Sequence, residues 1–243
     1  MAKVEKKIKI AAVGDIHVKE HFSSEYRQLF TDVSEQADVL VLCGDLTDLG
    51  TVHEAQLLAE DLRYCRIPVV GVLGNHDYQS DQSLEVKTIL EQNTNVTILE
   101  QEPVIHHGIG FAGVKGFIGG FDQYALGAFG EPEIKAIIKE RDSQAYALEN
   151  QMKQLSMEKK VVVLHYSPIR ETVANEPADI LPFLGATRYA QVIDQYGATV
   201  VFHGHANLGP HAGKTKLDIP VFNVALPLLE SMKPPIKFKV FEI

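Results

Sequence analysis

At 243 residues the chain can bury a substantial core, and it sits at the upper end of what one α/β domain uses. Its 45% hydrophobic and 23% charged residues exclude a disordered or fibrous chain. A formal charge of -9, from 23 basic and 32 acidic residues, disfavours a primary role in gripping long nucleic acid, and bound cations could neutralise part of the excess.

The first ninety residues predict strand, helix, strand, helix, strand, helix. The apolar runs Ile8 to Val13, Val39 to Cys43 and Val69 to Leu73 give the βαβ signature of a parallel sheet. Tyr26, Leu29, Phe30, Val33 and Ala37 share one face of the first helix, which Ser23 or Ser24 is placed to cap. Thr51-x-x-Glu54 opens the second with a capping-box pattern, ahead of an apolar face of Ala55, Leu58, Ala59 and Leu62. From Val96 to Phe117, glycines 108, 110, 113 and 116 break the pattern and predict short hairpin strands. Pro132 then stands in the first turn of a long helix whose apolar positions run from Ile134 to Leu155, with its polar residues on a solvated face. Strands follow at Val161 to Leu164, Thr199 to Phe202, Val221 to Val224 and Ile236 to Phe241, with a helix around Tyr189 to Tyr196 and a turn at Pro234-Pro235. Two strand-rich halves with helices outside predict a sandwich of two sheets in one domain spanning 1–243.

The two cysteines, Cys43 inside a strand and Cys65 near a helix end, suggest no disulfide framework and fit a reducing cytoplasm. Met1 to Lys7 is charged and lacks the apolar stretch of a signal peptide, and no run reaches the length of a membrane span.

In open α/β sheets the carboxyl ends of the strands face a crevice, where loops carry ligands without disturbing the core. Five strand ends here are rich in metal-ligand residue types: Gly14-Asp15-Ile16-His17, Gly44-Asp45-Leu46-Thr47-Asp48, Gly74-Asn75-His76-Asp77, His165-Tyr166-Ser167-Pro168 and His203-Gly204-His205-Ala206-Asn207. Any one of them reads as a turn or a packed imidazole. Their recurrence in chain order points to a metal site.

The series Asp15-x-His17, Gly44-Asp45-x-x-Asp48, Gly74-Asn75-His76-Asp77, His165 and a terminal Gly-His block resembles the calcineurin-like metallophosphoesterase superfamily, from residue 8 to about 224. No Arg-Gly follows Asp48, Asp77 stands where the Ser/Thr protein phosphatases have Glu, and no Tyr occupies position 48 as in purple acid phosphatases. The likeness is to the small bacterial-type phosphodiesterase branch. It implies a four-layer α/β/β/α sandwich of the metallo-dependent phosphatase type, with two divalent metals about 3.5 Å apart. Asp15, His17 and Asp45 would hold the first metal. Asp45 would bridge to the second, completed by Asn75, His165 and a His of the last block. Mixed nitrogen and oxygen ligation suits Mn, Fe, Zn or Co.

The last block departs from the family's Gly-His-x-His. The Gly register gives Gly204-His205-Ala206-Asn207, with Asn207 as the first metal's fourth ligand and a weaker site. A shifted register would use His203 with His205, at the cost of placing Phe202 where the Gly belongs. The Gly register is preferred because Gly44 and Gly74 show the same placement, leaving His203 a supporting or substrate-side role.

The resemblance implies attack on phosphorus by a hydroxide bridging the metals, with His76 giving a proton to the leaving alkoxide and Asp48 or Asp77 orienting His76. The expected substrate is a small or nucleotide-like phosphate ester. Two other functions stand beside it: a nuclease, which needs a basic groove, and a nucleotide-binding protein of the same fold with low activity, which Asn207 favours.

Overall fold

A computed structural model describes residues 7–21, 24 and 26–243. The first sheet has the order β11-β1-β2-β3-β4, in which β1 (Lys9–Val13), β2 (Val39–Cys43), β3 (Val69–Val72) and β4 (Val96–Ile98) run parallel and β11 (Lys239–Glu242) closes one edge antiparallel. The second has the order β5-β6-β7-β8-β10-β9. Here β6 (Ile109–Val114), β7 (Lys160–Leu164), β8 (Val200–His203) and β10 (Pro220–Asn223) are parallel, flanked by antiparallel β5 (Val104–His106) and β9 (Ala212–Lys214).

Side-chain alternation along these strands builds the layers. Val161 and Val163 of β7, with Phe111, Val200 and Phe202, face the first sheet and join its core. Val162 and Leu164 point the other way, with Ala112, Val114, Val201 and Val221, onto α4 (Pro132–Gln154) and α5 (Thr187–Tyr196). The first sheet's outer face is covered by α1 (Arg27–Gln36), α2 (Val52–Leu62) and α3 (Ser83–Asn93), through Leu29, Phe30, Val33, Leu58, Leu62, Val86 and Leu90. The result is the expected α/β/β/α sandwich. Phe202, fully buried between the sheets, would cost about 3–5 kcal/mol on truncation to Ala.

The capping box of α2 is present, with Thr51 Oγ1 accepting from Glu54 N and Glu54 Oε2 accepting from Thr51 N. For α1, the cap expected of Ser24 is not seen. Its first turn follows Tyr26 without a side-chain cap, and Ser24 Oγ instead accepts from the Arg27 guanidinium at 2.9 Å. Ser23 and residues 1–6 lie outside the described residues. Hairpin traffic between 96 and 117 holds only for β5 and β6, because β4 joins the first sheet as a parallel strand. Gly110 and Gly113 do not break β6; they lie inside it, where a Cβ on Gly113 would meet Val163 O at 2.5 Å. The polar face of α4 also has an exception. Gln151 is fully buried and clasps Gly113, accepting from its N–H at 2.9 Å and donating to its carbonyl at 2.8 Å. A short helix, α6 (Leu226–Ser231), follows β10 in a stretch with no sequence signal beyond its early Pro227.

Candidate metal centre

The carboxyl ends of β1, β2, β3, β7 and β8 converge, so that residues up to 190 positions apart share one crevice. Backbone bonds fasten the first two loops together, from Asp15 N to Gly44 O at 2.9 Å and from His17 N to Asp45 O at 3.0 Å. Asp77 fastens the second to the third. Its buried carboxylate accepts from Leu46 N, Thr47 N, Thr47 Oγ1 and Gly74 N at 2.6–3.2 Å. Asp15, His17, Asp45 and His205 all have positive φ, between 43° and 68°. Such backbone is unfavourable for side chains other than glycine, and its concentration at these four positions marks strain held for a site.

Three acceptors face one another at its centre. His165 Nδ1–H donates to Cys43 O at 2.9 Å, which leaves the Nε2 lone pair pointing at Asn75 Oδ1, 2.9 Å away, and Asp45 Oδ1, 3.3 Å away. Burial pushes His165 down to about 3, so the imidazole is neutral and brings no proton to these contacts. His205 joins them, its ring 4.8 Å from that of His165 and its Nε2–H donating to Phe183 O at 3.2 Å, which frees Nδ1. Burial lowers His205 to about 3 as well. Asp45, His165 and His205 offer ligand atoms within 4.8 Å of one another, and so do His17, Asp45 and His76. Asp45 belongs to both groups: its Oδ2 lies 3.7 Å from His17 Nε2 and its Oδ1 accepts from His76 N at 2.9 Å.

Asp15 is buried and accepts His205 N through both oxygens, at 2.9 and 3.0 Å. Burial, and then the neighbouring Asp45 charge, hold its carboxyl well above the usual range, and burial raises Asp45 too. Buried carboxylates that repel, facing lone pairs of neutral imidazoles and an amide oxygen, form a donor set that lacks cations, and divalent metals of the N/O-binding kind fit it. A cavity of about 470 Å³ lined by Asp15, His17, Lys19, Tyr26 and Asp48 opens over one side of it.

The carboxylates expected to orient His76 do other work. Asp48 Oδ1 stands 3.3 Å from His17 Nδ1, while it is the Asp48 carbonyl that accepts from His76 Nδ1–H, at 2.7 Å. The Asp77 carboxylate is consumed by the loop bonds above, and burial lifts it to about 6. Neither the alternative ligand role nor a substrate-side role for His203 agrees with its placement. It is fully buried, its Nδ1–H donates to Gly204 O and its Nε2 accepts from Thr172 Oγ1, both at 2.7 Å. The Gly register has a steric reason, since a Cβ on Gly204 would enter the space of Asp15 Oδ2 and lie 2.8 Å from Cys43 O. Asn207 is exposed, in the turn that follows.

Several contributors carry no motif. Asn223, buried at the end of β10, donates to Ala206 O at 2.6 Å and so holds the His205 turn. Tyr166 lays its ring 4.4 Å from His205 and 5.3 Å from His165. Lys115 follows β6, at a sixth strand end whose only sequence signal is a Lys after an apolar run.

A family model described as calcineurin-like phosphoesterase matches residues 8–206. The chain belongs to the calcineurin-like phosphoesterase family. As a member it is a metal-dependent phosphoester hydrolase, and the His and Asp groups at the strand ends could hold metal. A probable glycerophosphodiester phosphodiesterase GpdQ of Arcobacter nitrofigilis is 20% identical over 202 residues, 77% of this phosphoesterase and 67% of that protein. Phosphopantetheinyl hydrolase PptH of Mycobacterium tuberculosis superposes with a TM-score of 0.68 at 16% identity, over 97% of this chain and 96% of that one. GAP50, the anchor in the inner membrane complex of Plasmodium, gives a TM-score of 0.60 at 14% identity, over 98% and 81%. At these identities the two structures show that the calcineurin-like phosphoesterase fold is shared. No described helix is long and apolar enough to cross a membrane.

Proposed function

We propose that the protein, as a single domain, hydrolyses a small phosphate ester, a diester or a monoester, at a centre of two divalent metals. The observation that carries this reading is Asp45, whose two oxygens serve separate groups, His17 on one side and His165 with Asn75 on the other. One carboxylate between two sets of neutral donors suits a pair of dications, because its charge screens their repulsion. Asp15, His17 and Asp45 would hold one ion, with the exposed Asn207 as a weak fourth ligand; Asp45, Asn75, His165 and His205 would hold the other. Bound metals of this kind supply a strong nucleophile from water at neutral pH and stabilise charge on phosphoryl oxygens.

The chain's own contributions are positioning and proton transfer. Cys43 O and Phe183 O fix the rings of His165 and His205, setting which nitrogen faces the centre, and the Asp48 carboxylate stands 3.3 Å from His17 Nδ1. His76 donates an Nδ1–H hydrogen bond to the Asp48 carbonyl, so that as an imidazolium it carries its second proton on Nε2, passes that proton to the departing alkoxide and is left as the neutral Nδ1–H form.

The test is Mn-, Fe-, Zn- or Co-reconstituted protein assayed on bis(p-nitrophenyl) phosphate, p-nitrophenyl phosphate, cyclic nucleotides and single-stranded DNA. Turnover of a small ester, lost on chelation, is expected. His76→Gln should lower it about 10²- to 10⁴-fold with metal content retained. Activity confined to DNA would make the protein a nuclease. Nucleotide binding without turnover with any metal would make it a binding protein, the reading that Asn207 favours.

A further inference from the structure

Lys115 is a cation without an anionic partner among the described residues. Its Nζ lies 4.7 Å from the Phe117 ring centroid, 5.1 Å from that of Tyr78 and 5.5 Å from that of Tyr166. Its hydrogen bond is to the adjacent carbonyl, Gly116 O, at 3.2 Å. An ammonium has three donors, so two are left over. Among the described residues no carboxylate oxygen lies within ion-pair distance of it. Glu140 and Asp45 act on it only from farther away, and Glu100, which lines the same cavity, is bound by Lys87 at 2.5 Å.

The position is as informative as the missing partner. Tyr78 belongs to the short 3₁₀ turn His76–Tyr78 that presents the proposed proton donor, and Tyr166 follows His165 and touches His205. The backbone carbonyl of Lys115 accepts from the N–H groups of both His165 and Tyr166, at 3.1 Å each, which fixes the strand end against the metal loops. Beside Nζ lies a cavity of about 230 Å³, lined also by Tyr78, Leu99, Gln144 and Ala147. Aromatic faces attract a cation but leave its hydrogen-bonding capacity unused, and a half-buried ammonium gains most from an anion brought to it.

Resting on the phosphoesterase function proposed above, we infer that Lys115 is a specificity-determining residue that binds an anionic oxygen of the substrate, with Tyr78, Phe117 and Tyr166 holding its ammonium at the edge of the metal centre. Two sources offer that chemistry: the non-bridging oxygens of the scissile phosphate, and a second phosphoryl group elsewhere on the substrate.

Metal-reconstituted wild type and Lys115→Met are compared for kcat and KM on bis(p-nitrophenyl) phosphate, and for inhibition by inorganic phosphate and by pyrophosphate. Thermal melting and metal content are measured alongside. Loss of a charge-assisted hydrogen bond should weaken anion binding roughly tenfold or more, with a smaller effect on kcat and no loss of metal. Equal weakening of phosphate, pyrophosphate and KM assigns Lys115 to the scissile phosphate. Weakening of pyrophosphate well beyond that of phosphate assigns it to a second phosphoryl group. KM and both inhibition constants within twofold of wild type would overturn the inference. Lys115→Gln is read in the same way should the Met variant fail to fold. If wild type turns over no ester, the proposed function fails, and Lys115 is judged by calorimetric pyrophosphate binding, which must weaken in the variant.

Discussion

His203 and His205 are two residues apart and have opposite surroundings. His205 leaves the strand on a left-handed backbone, with its N–H on Asp15 and its ring against His165. His203, still in β8, is sealed between Gly204 O and Thr172. Sequence preferred His205 on the strength of a glycine at 204, where Asp15 leaves no room for a Cβ, but it could not reveal that His203 was enclosed, since Thr172 is 31 residues away. The same limit applied to Asp48 and Asp77, whose acidity was legible and whose partners were not. His203 also has a measurable consequence. Burial depresses it to about 4, against about 6.5 when unfolded. Its neutral form thus contributes stability that is present above pH 6.5 and is lost as pH falls toward 4, by up to about 3 kcal/mol. Urea unfolding of metal-free wild type and His203→Gln between pH 7 and 4 should show a steeper loss in wild type; parallel curves would contradict this.

Among the elements, long periodic segments were legible and short ones were not. β1, β2, β3, β7, β8, β10 and α4 were placed within a few residues, because full burial of a strand and a 3.6-residue period leave marks in the sequence. β4 and β6 were misread because glycine signals both a turn and a close approach, and Gly113 is the second kind, pressed against Val163 and clasped by Gln151. That misreading hid the end of β6, and Lys115 with it. Strand-end glycines carry the site in the same way. Gly204→Ala is expected to displace the Asp15 carboxylate, lower stability by about 1–3 kcal/mol and weaken metal binding at least tenfold. Calorimetric metal titration of the variant checks it, and wild-type affinity would show that the Asp15 contact is not what requires glycine there.

For the whole molecule, the sandwich explains why ligands scattered over most of the chain meet. Two mixed sheets face each other with the carboxyl ends of their parallel strands at one edge, and α-helices cover the remaining faces. That edge concentrates Asp15, Asp45, Asp48 and Asp77, with Lys19 and Lys115 at its margins, so part of the formal charge of -9 is located where cations are needed. Without metal these carboxylates repel one another in a buried place, and binding should be saturable and linked to activity. The direct test is titration of metal-free protein with Mn(II), reading bound metal and bis(p-nitrophenyl) phosphate turnover in the same samples. Two equivalents are predicted, the weaker filling last, with turnover rising as it fills and one equivalent lost on dialysis. Full turnover by the metal-free protein, or no saturable binding, would contradict the account.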